Sequence, residues 1–299
     1  MKTIFRALLL FGMLLALAFL LPSAAPLSAA FAETVLAPLP IDNSAGPKPA
    51  EDHYLADGSG YQDDSLTVKI EQIRQYDTNI MVAHIQIRDA SQMRTAMAGS
   101  FGSTRDIPAA KLAERYHAVF AMNGDYFNFC SVGYIVRQGK LYRNNPKEGS
   151  DVLLIDDHGD FHIVQDATSE KIAAFTGTVV NSFSFGPALV VDGVAQSVTK
   201  NNHIASSDAT QRMIIAQTGP LSYLCVATEG PENTGSVGLT LDQAAQLMQS
   251  LGCENAYNLD GGGSSTMVMD NQKINALSTH KVRNIWDILY FATLVQPAQ

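Results

Sequence analysis

Cysteine is scarce in this chain of 299 residues: only Cys130, Cys225 and Cys253 occur. An odd count rules out a framework made wholly of internal disulfides, because at least one thiol stays free or pairs between molecules. No Cys/His spacing suggests a zinc site. Cys225 and Cys253 form a candidate pair if their strands adjoin, and a lone Cys130 reads more readily as a small buried hydrophobe than as a nucleophile. Basic residues are also few, 20 Lys and Arg against 29 Asp and Glu, giving a formal charge of −9. That balance argues against non-specific binding to nucleic acid or to an anionic membrane. An anionic ligand must therefore be met by a local site and not by the overall field.

Long apolar runs are missing after the first 32 residues. The leader carries Lys2 and Arg6, then an almost wholly apolar stretch from Ala7 to Leu21, then Ala30-Phe31-Ala32. A positive n-region, an apolar h-region and a small-x-small site predict a secretory signal peptide over 1–32, cleaved to leave Glu33 first. The competing reading is an uncleaved anchor, whose apolar run would sit near the lower limit for crossing a bilayer. Cleavage removes two positive charges and no acids, moving the formal charge from −9 to −11. The expected location is secreted or extracytoplasmic, in the cell envelope, with no stable membrane span after cleavage.

Residues 33–64 are rich in Ala, Pro, Asp, Gly and Ser and read as a linker or loosely ordered lead-in. Regular structure is expected from about Ser65, with residues 65–299 forming one large domain. Alternation predicts strands over Leu66–Ile70 and Ile80–Ile87. Helical spacing over Ile107–Tyr116 precedes a short apolar strand, Ala118–Met122. Hairpins are expected over 133–142 and 152–164, and two further strands over Gln211–Ala216 and Leu221–Thr228. Thr240–Leu251 is the clearest helix. Thr240 with Gln243 makes a capping-box pattern, and Gly252 fits the position just past the C-terminus. Strands outnumber helices, so the class is α+β: a large mixed β-sheet core with a few flanking helices, in a single domain.

The stretch from Asn258 through Asp260, Gly261, Gly262, Gly263, Ser264, Ser265 and Thr266 to Met267 carries the strongest chemical signal. Three successive glycines admit φ > 0 and let the backbone approach a ligand closely. Successive N–H groups in such a turn can form an anion-binding nest, and Ser264 and Ser265 add hydroxyls. Asp260 at the edge of that nest would repel a bound anion, which points to a reactive or metal-binding role. The plain alternative is a tight turn in which Asp260 caps backbone N–H groups. There is no Lys after the glycines, as a phosphate loop requires, and no spaced glycines opening a helix, as a dinucleotide site requires.

Other polar residues stand at the ends of apolar strands. Asn123-Gly124-Asp125-Tyr126-Phe127 closes one such strand, a place where sites are often built and where Asn and Asp also simply form turns. Arg212 opens Met213–Ala216, where a guanidinium can fork onto a phosphate, and His203 lies in the loop before it. Glu229 closes the strand that ends at Thr228. Arg283 precedes the final strand.

The segment Leu259-Asp260-Gly261-Gly262-Gly263-Ser264-Ser265-Thr266-Met267 resembles the signature of the phosphodiester glycosidase family, and the other segments follow in the family's order over roughly residues 65–295. Asn123–Phe127 resembles the family's NGGFF-like motif, with Asp125 in place of the usual second glycine and Tyr126 in place of a Phe. Ser236 to Leu241 resembles its Ser-x-Gly-hydrophobic-Thr-Leu helix start. Glu229-Gly230-Pro231 stands where Asp-Gly-Arg is common, a departure that bears on substrate preference. The resemblance implies hydrolysis of a sugar-1-phosphodiester, or a phosphate-containing glycan, at the glycosidic bond, releasing free sugar and a phosphomonoester.

That leaving group departs readily, so a strong general acid is needed less than in an ordinary glycosidase with its two carboxylates. Arg212, Arg283, Asn123, His203 and the Gly261–Ser265 donors suit the substrate and its phosphate. Asp260 is the first candidate for the carboxylate that activates water or stabilises an oxocarbenium-like centre, with Glu229 and Asp125 competing for the role. A divalent cation between Asp260 and a phosphate is compatible with these residues, although no calcium-loop pattern is present. Two rival readings keep the same pocket: a non-catalytic carbohydrate-binding or exopolysaccharide/envelope assembly protein, and a phosphodiesterase that cuts P–O instead of C–O.

Overall fold

Two antiparallel sheets pack face to face, each covered on its outer side by one helix. The computed structural model describes residues 37–198, 207–231, 233, 235–276 and 282–296. Pro38–Gln299 makes up one compact unit. Its larger sheet has eight strands, in the spatial order β1 (Gly60–Gln62), β2 (Leu66–Gln75), β3 (Thr78–Ile87), β14 (Ser222–Thr228), β13 (Met213–Gly219), β15 (Asn255–Leu259), β11 (Ala188–Val191) and β12 (Val194–Ala195). The second sheet has five, in the order β17 (Gln272–Lys273), β16 (Met267–Met269), β5 (Phe120–Asn123), β18 (Asp287–Phe291) and β4 (Met93–Met97). A smaller sheet orders β10 (Val179–Phe183), β8 (Val152–Asp156) and β9 (Phe161–Val164), and β6 (Gly133–Arg137) pairs with β7 (Lys140–Asn145).

Alternation sorts the side chains into layers. On β13, Met213 and Ile215 face the second sheet, where they share a core with Phe120, Met122, Leu289 and Phe291. Ile214 and Ala216 face the opposite way, against Leu241, Ala244, Leu247 and Met248 of helix α3 (Leu241–Ser250). On β18, Ile288 and Tyr290 pack against Leu112 and Ala113 of helix α1 (Ala109–Arg115). Helix α2 (Ser169–Ala173) lies over the small sheet through Ile172. The α+β class holds, with strands dominant and every paired strand antiparallel.

Local signals account for most boundaries. The Thr240 hydroxyl accepts from Gln243 N–H while the Gln243 side chain accepts from Thr240 N–H, so the capping box closes at both ends. Gly252 follows the helix at φ +79°. α1 starts at Ala109, two residues later than its apolar spacing suggests, because Pro108 occupies the position before it. Regular structure also starts earlier than Ser65: a 3-10 turn spans Glu51–His53 and β1 pairs with β2. Three residues are too few to show alternation. Cys225 lies in the core between the sheets and Cys253 in the core under α3, so the two thiols face opposite sides of one sheet and remain unpaired. Among the described residues, no helix is long and apolar enough to cross a membrane.

Candidate active site

The glycine-rich turn is the crossover between the two packed sheets. β15 ends at Leu259 in the larger sheet, and the chain re-enters as β16 at Met267 in the smaller one. β5 ends at Asn123 beside it, and β18 begins there at Asp287. Asn123 is buried and ties this end together. Its amide donates to the Asp260 carbonyl at 2.8 Å, and its Oδ1 accepts from Thr266 N–H at 3.0 Å. Both edges of the turn thus hang on one side chain, which accounts for an Asn at the end of an otherwise apolar strand.

Within the turn, two glycines have different reasons to be glycine. Gly262 has φ +56° and open space where a Cβ would go, so only its backbone conformation is restrictive. Gly261 has an ordinary extended backbone, but a Cβ there would lie 2.7 Å from the Gln211 carbonyl oxygen. The expected nest is partly closed on itself. Gly262 N–H donates to Gln211, Ser264 N–H to Gly261 and Ser265 N–H to Gly262. Ser264 and Ser265 are both buried, and the Ser265 hydroxyl has no partner among the described residues.

Asp260 is half-buried at the start of this turn. Burial pushes its carboxyl up to about 6, against the pull of the Ser264 hydroxyl and of Arg283, while Asp125 pushes in the same direction as burial. Arg283 is exposed; its backbone N–H donates to Gly263 at 3.1 Å and its Nη1 reaches Ser264 Oγ at 3.4 Å.

Asp125 belongs to a buried charge cluster that the sequence did not reveal. Asp287, fully buried, accepts from Asp125 N–H at 3.0 Å and from Arg137 Nε at 2.8 Å, and its Oδ2 lies 2.7 Å from Arg137 Nη2. Arg137 Nη2 stands 3.9 Å from Asp125 Oδ2, and its guanidinium lies over the rings of Phe127 and Phe183. Asp125 also accepts from Ser184 N–H at 2.7 Å. Two acids thus share one guanidinium. Burial raises Asp125, opposed chiefly by Arg137, and pushes Asp287 up to about 6 against the same partner. Gly124 is fixed by this cluster, since a Cβ there would sit 2.6 Å from Asp287 Oδ1. The available signal was an acid inside the apolar strand Ile285–Leu289 and an Arg closing Ile135–Val136.

Tyr126 links the acids to a cleft. Burial, then Cys130, Asp125 and Asp260, push its phenol up to about 12, so it stays a donor. The narrow cleft beside it is lined by Asp125, Tyr126, Cys130, Lys147, Ser150 and Phe185 among others. Tyr126 meets Phe185 edge-on at 4.8 Å.

Two expected side chains point elsewhere. Arg212 is buried on the α3 side of the sheet, with Nε donating to the Leu239 carbonyl at 2.9 Å and Nη2 to the Asp208 carbonyl at 2.8 Å, and burial pushes it down to about 10. The fork expected to meet phosphate is engaged with backbone, and the residue ties the start of α3 to β13. Glu229 accepts from Asn79 Nδ2 at 3.0 Å and from Ser236 Oγ, and lines a separate cleft with Asn275 and Ala276. His203 lies outside the described residues. The structure thus gathers Asn123, Asp125, Asp260, the glycine turn, Ser264 and Arg283; Arg212 meets the turn through its backbone, beside Gly261, while its guanidinium turns to the Leu239 and Asp208 carbonyls, and Glu229 lines the separate cleft. Among the described residues, no three His, Cys, Asp or Glu side chains gather as metal ligands.

A family model described as phosphodiester glycosidase matches residues 116–292, a span that includes every residue of the gathered site. The SPbeta prophage-derived uncharacterized protein YomE of Bacillus subtilis (strain 168) is 26% identical over 194 residues, covering 63% of this chain and 30% of that protein. The chain therefore matches less than a third of that relative's length. Among solved structures, the zebrafish N-acetylglucosamine-1-phosphodiester α-N-acetylglucosaminidase catalytic domain, auto-inhibited by its pro-peptide, superposes with a TM-score of 0.63 at 19% identity, covering 85% of this chain and 97% of that one. A hypothetical protein from Synechocystis superposes with a TM-score of 0.53 at 15% identity, covering 76% and 62%. At those identities the likeness is one of fold.

Proposed function

The chain belongs to the phosphodiester glycosidase family, and from that premise we propose that it hydrolyses the glycosidic bond of a sugar-1-phosphodiester to free sugar and a phosphomonoester. The observation that carries the reading is the company Asp260 keeps: the Ser264 hydroxyl and Arg283, which pull its carboxyl down, and Asp125, which pushes it up. In this reading Arg283, Ser264 and the glycine turn hold the phosphate and stabilise charge on the departing oxygen. Asp260, ionised above about pH 6, takes the proton of the water that attacks the anomeric carbon, or faces the oxocarbenium-like centre directly. Asp125 is held by two backbone N–H groups and by Arg137, which suits it to orienting Tyr126 and the cleft wall more than to proton transfer. The aromatic edge of Tyr126 and Phe185 offers an apolar wall to the sugar ring.

Export follows from the leader sequence in this reading, so the substrate is envelope or extracellular polysaccharide carrying a phosphodiester-linked sugar. The test is to incubate the mature chain with a panel of sugar-1-phosphodiesters and identify both products. Release of free sugar with a phosphomonoester supports the proposal. A carbohydrate-binding or envelope assembly protein would release neither.

A further inference from the structure

Phe129 and Trp286 form an aromatic step on the segments that carry Asp125 and Asp287. Phe129 is 63% exposed, more than any other large apolar side chain among the described residues. A single exposed hydrophobe needs no explanation, but this one meets Trp286 edge-on, with ring centroids 4.1 Å apart at 73°. Both rings belong to the elements that build the acid cluster. Phe129 N–H donates to the Tyr126 carbonyl at 2.9 Å, closing the turn that follows Asp125. Trp286 lies between Arg283, tied to Gly263, and Asp287, tied to Asp125. Arg283 and Asn284, which precede Trp286 in the chain, are both exposed. The indole N–H of Trp286 is enclosed and finds no acceptor among the described residues.

We propose that the Phe129–Trp286 pair is a sugar-stacking subsite for a pyranose ring beyond the one at the scissile bond. The proposal rests on the glycosidase reading of the same site and names its substrate class: a phosphodiester-bearing glycan of two or more sugars. A pyranose presents an apolar C–H face and a polar edge, and the apolar face suits an exposed aromatic ring. Two rings are too small a patch for a stable protein interface, which needs roughly 800 Å² per partner. The excess of acids over bases disfavours an anionic bilayer.

Trp286 is the chain's single tryptophan, so its emission reports on this step alone. The probes are linear tetrasaccharides of glucose, mannose, galactose and N-acetylglucosamine, in α and β linkage, with the matching monosaccharides. The expected result is that at least one tetrasaccharide shifts or quenches the emission at concentrations where its monosaccharide does not. Phe129→Ala should weaken that response roughly ten-fold, as expected when one ring loses the apolar area it covers, while Phe129→Tyr retains it. Unchanged emission across the panel, or a response that survives Phe129→Ala, overturns the proposal. The probes carry no phosphate and need no turnover. Glycan binding without hydrolysis of any phosphodiester would therefore sink the glycosidase reading and leave the subsite standing, and hydrolysis without a glycan response would do the reverse.

Discussion

The Asn123 amide donates to the Asp260 carbonyl at 2.8 Å, linking the end of β5 in one sheet to the end of β15 in the other. The same side chain accepts from Thr266 N–H, so it sets where the whole turn sits relative to the Asp125 cluster. Asn123→Ala should lower stability by about 2–4 kcal/mol, because two buried backbone groups lose their partners. Activity should fall further than that loss explains, measured on the folded fraction well below the midpoint of thermal unfolding. Full activity per folded molecule would show that the turn holds its place without the clamp.

Asp260→Asn should abolish turnover and raise stability together. Its carboxyl holds a proton up to about pH 6 in the folded chain and to about 3.8 otherwise. The folded state thus binds more protons between those values, and stability falls as pH rises through that window. Removing the charge should recover on the order of 1–3 kcal/mol at pH 7. The wild-type rate should rise through about pH 6 as the carboxylate ionises. Thermal melts of both proteins at pH 4 and pH 7 check the sign: a difference that vanishes at pH 7 contradicts it.

The glycines should part company. Gly262→Ala meets no neighbour and carries only the strain of a left-handed backbone, about 1 kcal/mol. Gly261→Ala drives a methyl into the Gln211 carbonyl at 2.7 Å, and the turn must move. Activity should fall only modestly in the first and by orders of magnitude in the second. Equal activity of the two variants would break the link between turn position and chemistry.

The two arginines should part in the same way. Arg283→Ala should weaken inhibition by inorganic phosphate about ten- to a hundred-fold, with an unchanged melting temperature, since the residue is exposed. Arg212→Ala should lower the melting temperature sharply, because the Leu239 and Asp208 carbonyls lose their donors, while phosphate inhibition of the folded protein persists. Phosphate inhibition lost in Arg212→Ala and kept in Arg283→Ala would reverse the assignment.

Much of the fold was legible because its signals are local. The capping box at Thr240, the glycine after α3 and the alternation of β2, β3 and β13 each report on a few neighbouring residues. Asn123 and Asp260 were legible as polar residues at the ends of apolar strands, although the bond between them spans 137 positions. The role of Arg212 was not legible. A guanidinium at a strand mouth reads as a ligand for phosphate, and only tertiary structure shows the carbonyls it meets instead. Arg137 and Asp287 were hidden for the same reason, as each sits in an apolar strand and the pair forms only when β6 and β18 meet.

Hydrolysis of a sugar-1-phosphodiester in ¹⁸O-labelled water tests the central claim most directly. Attack at the anomeric carbon, with the phosphate leaving intact, places the label in the released sugar and none in the phosphomonoester. Label in the phosphomonoester would mean that the P–O bond is cut, and would contradict the glycosidase chemistry assigned to Asp260.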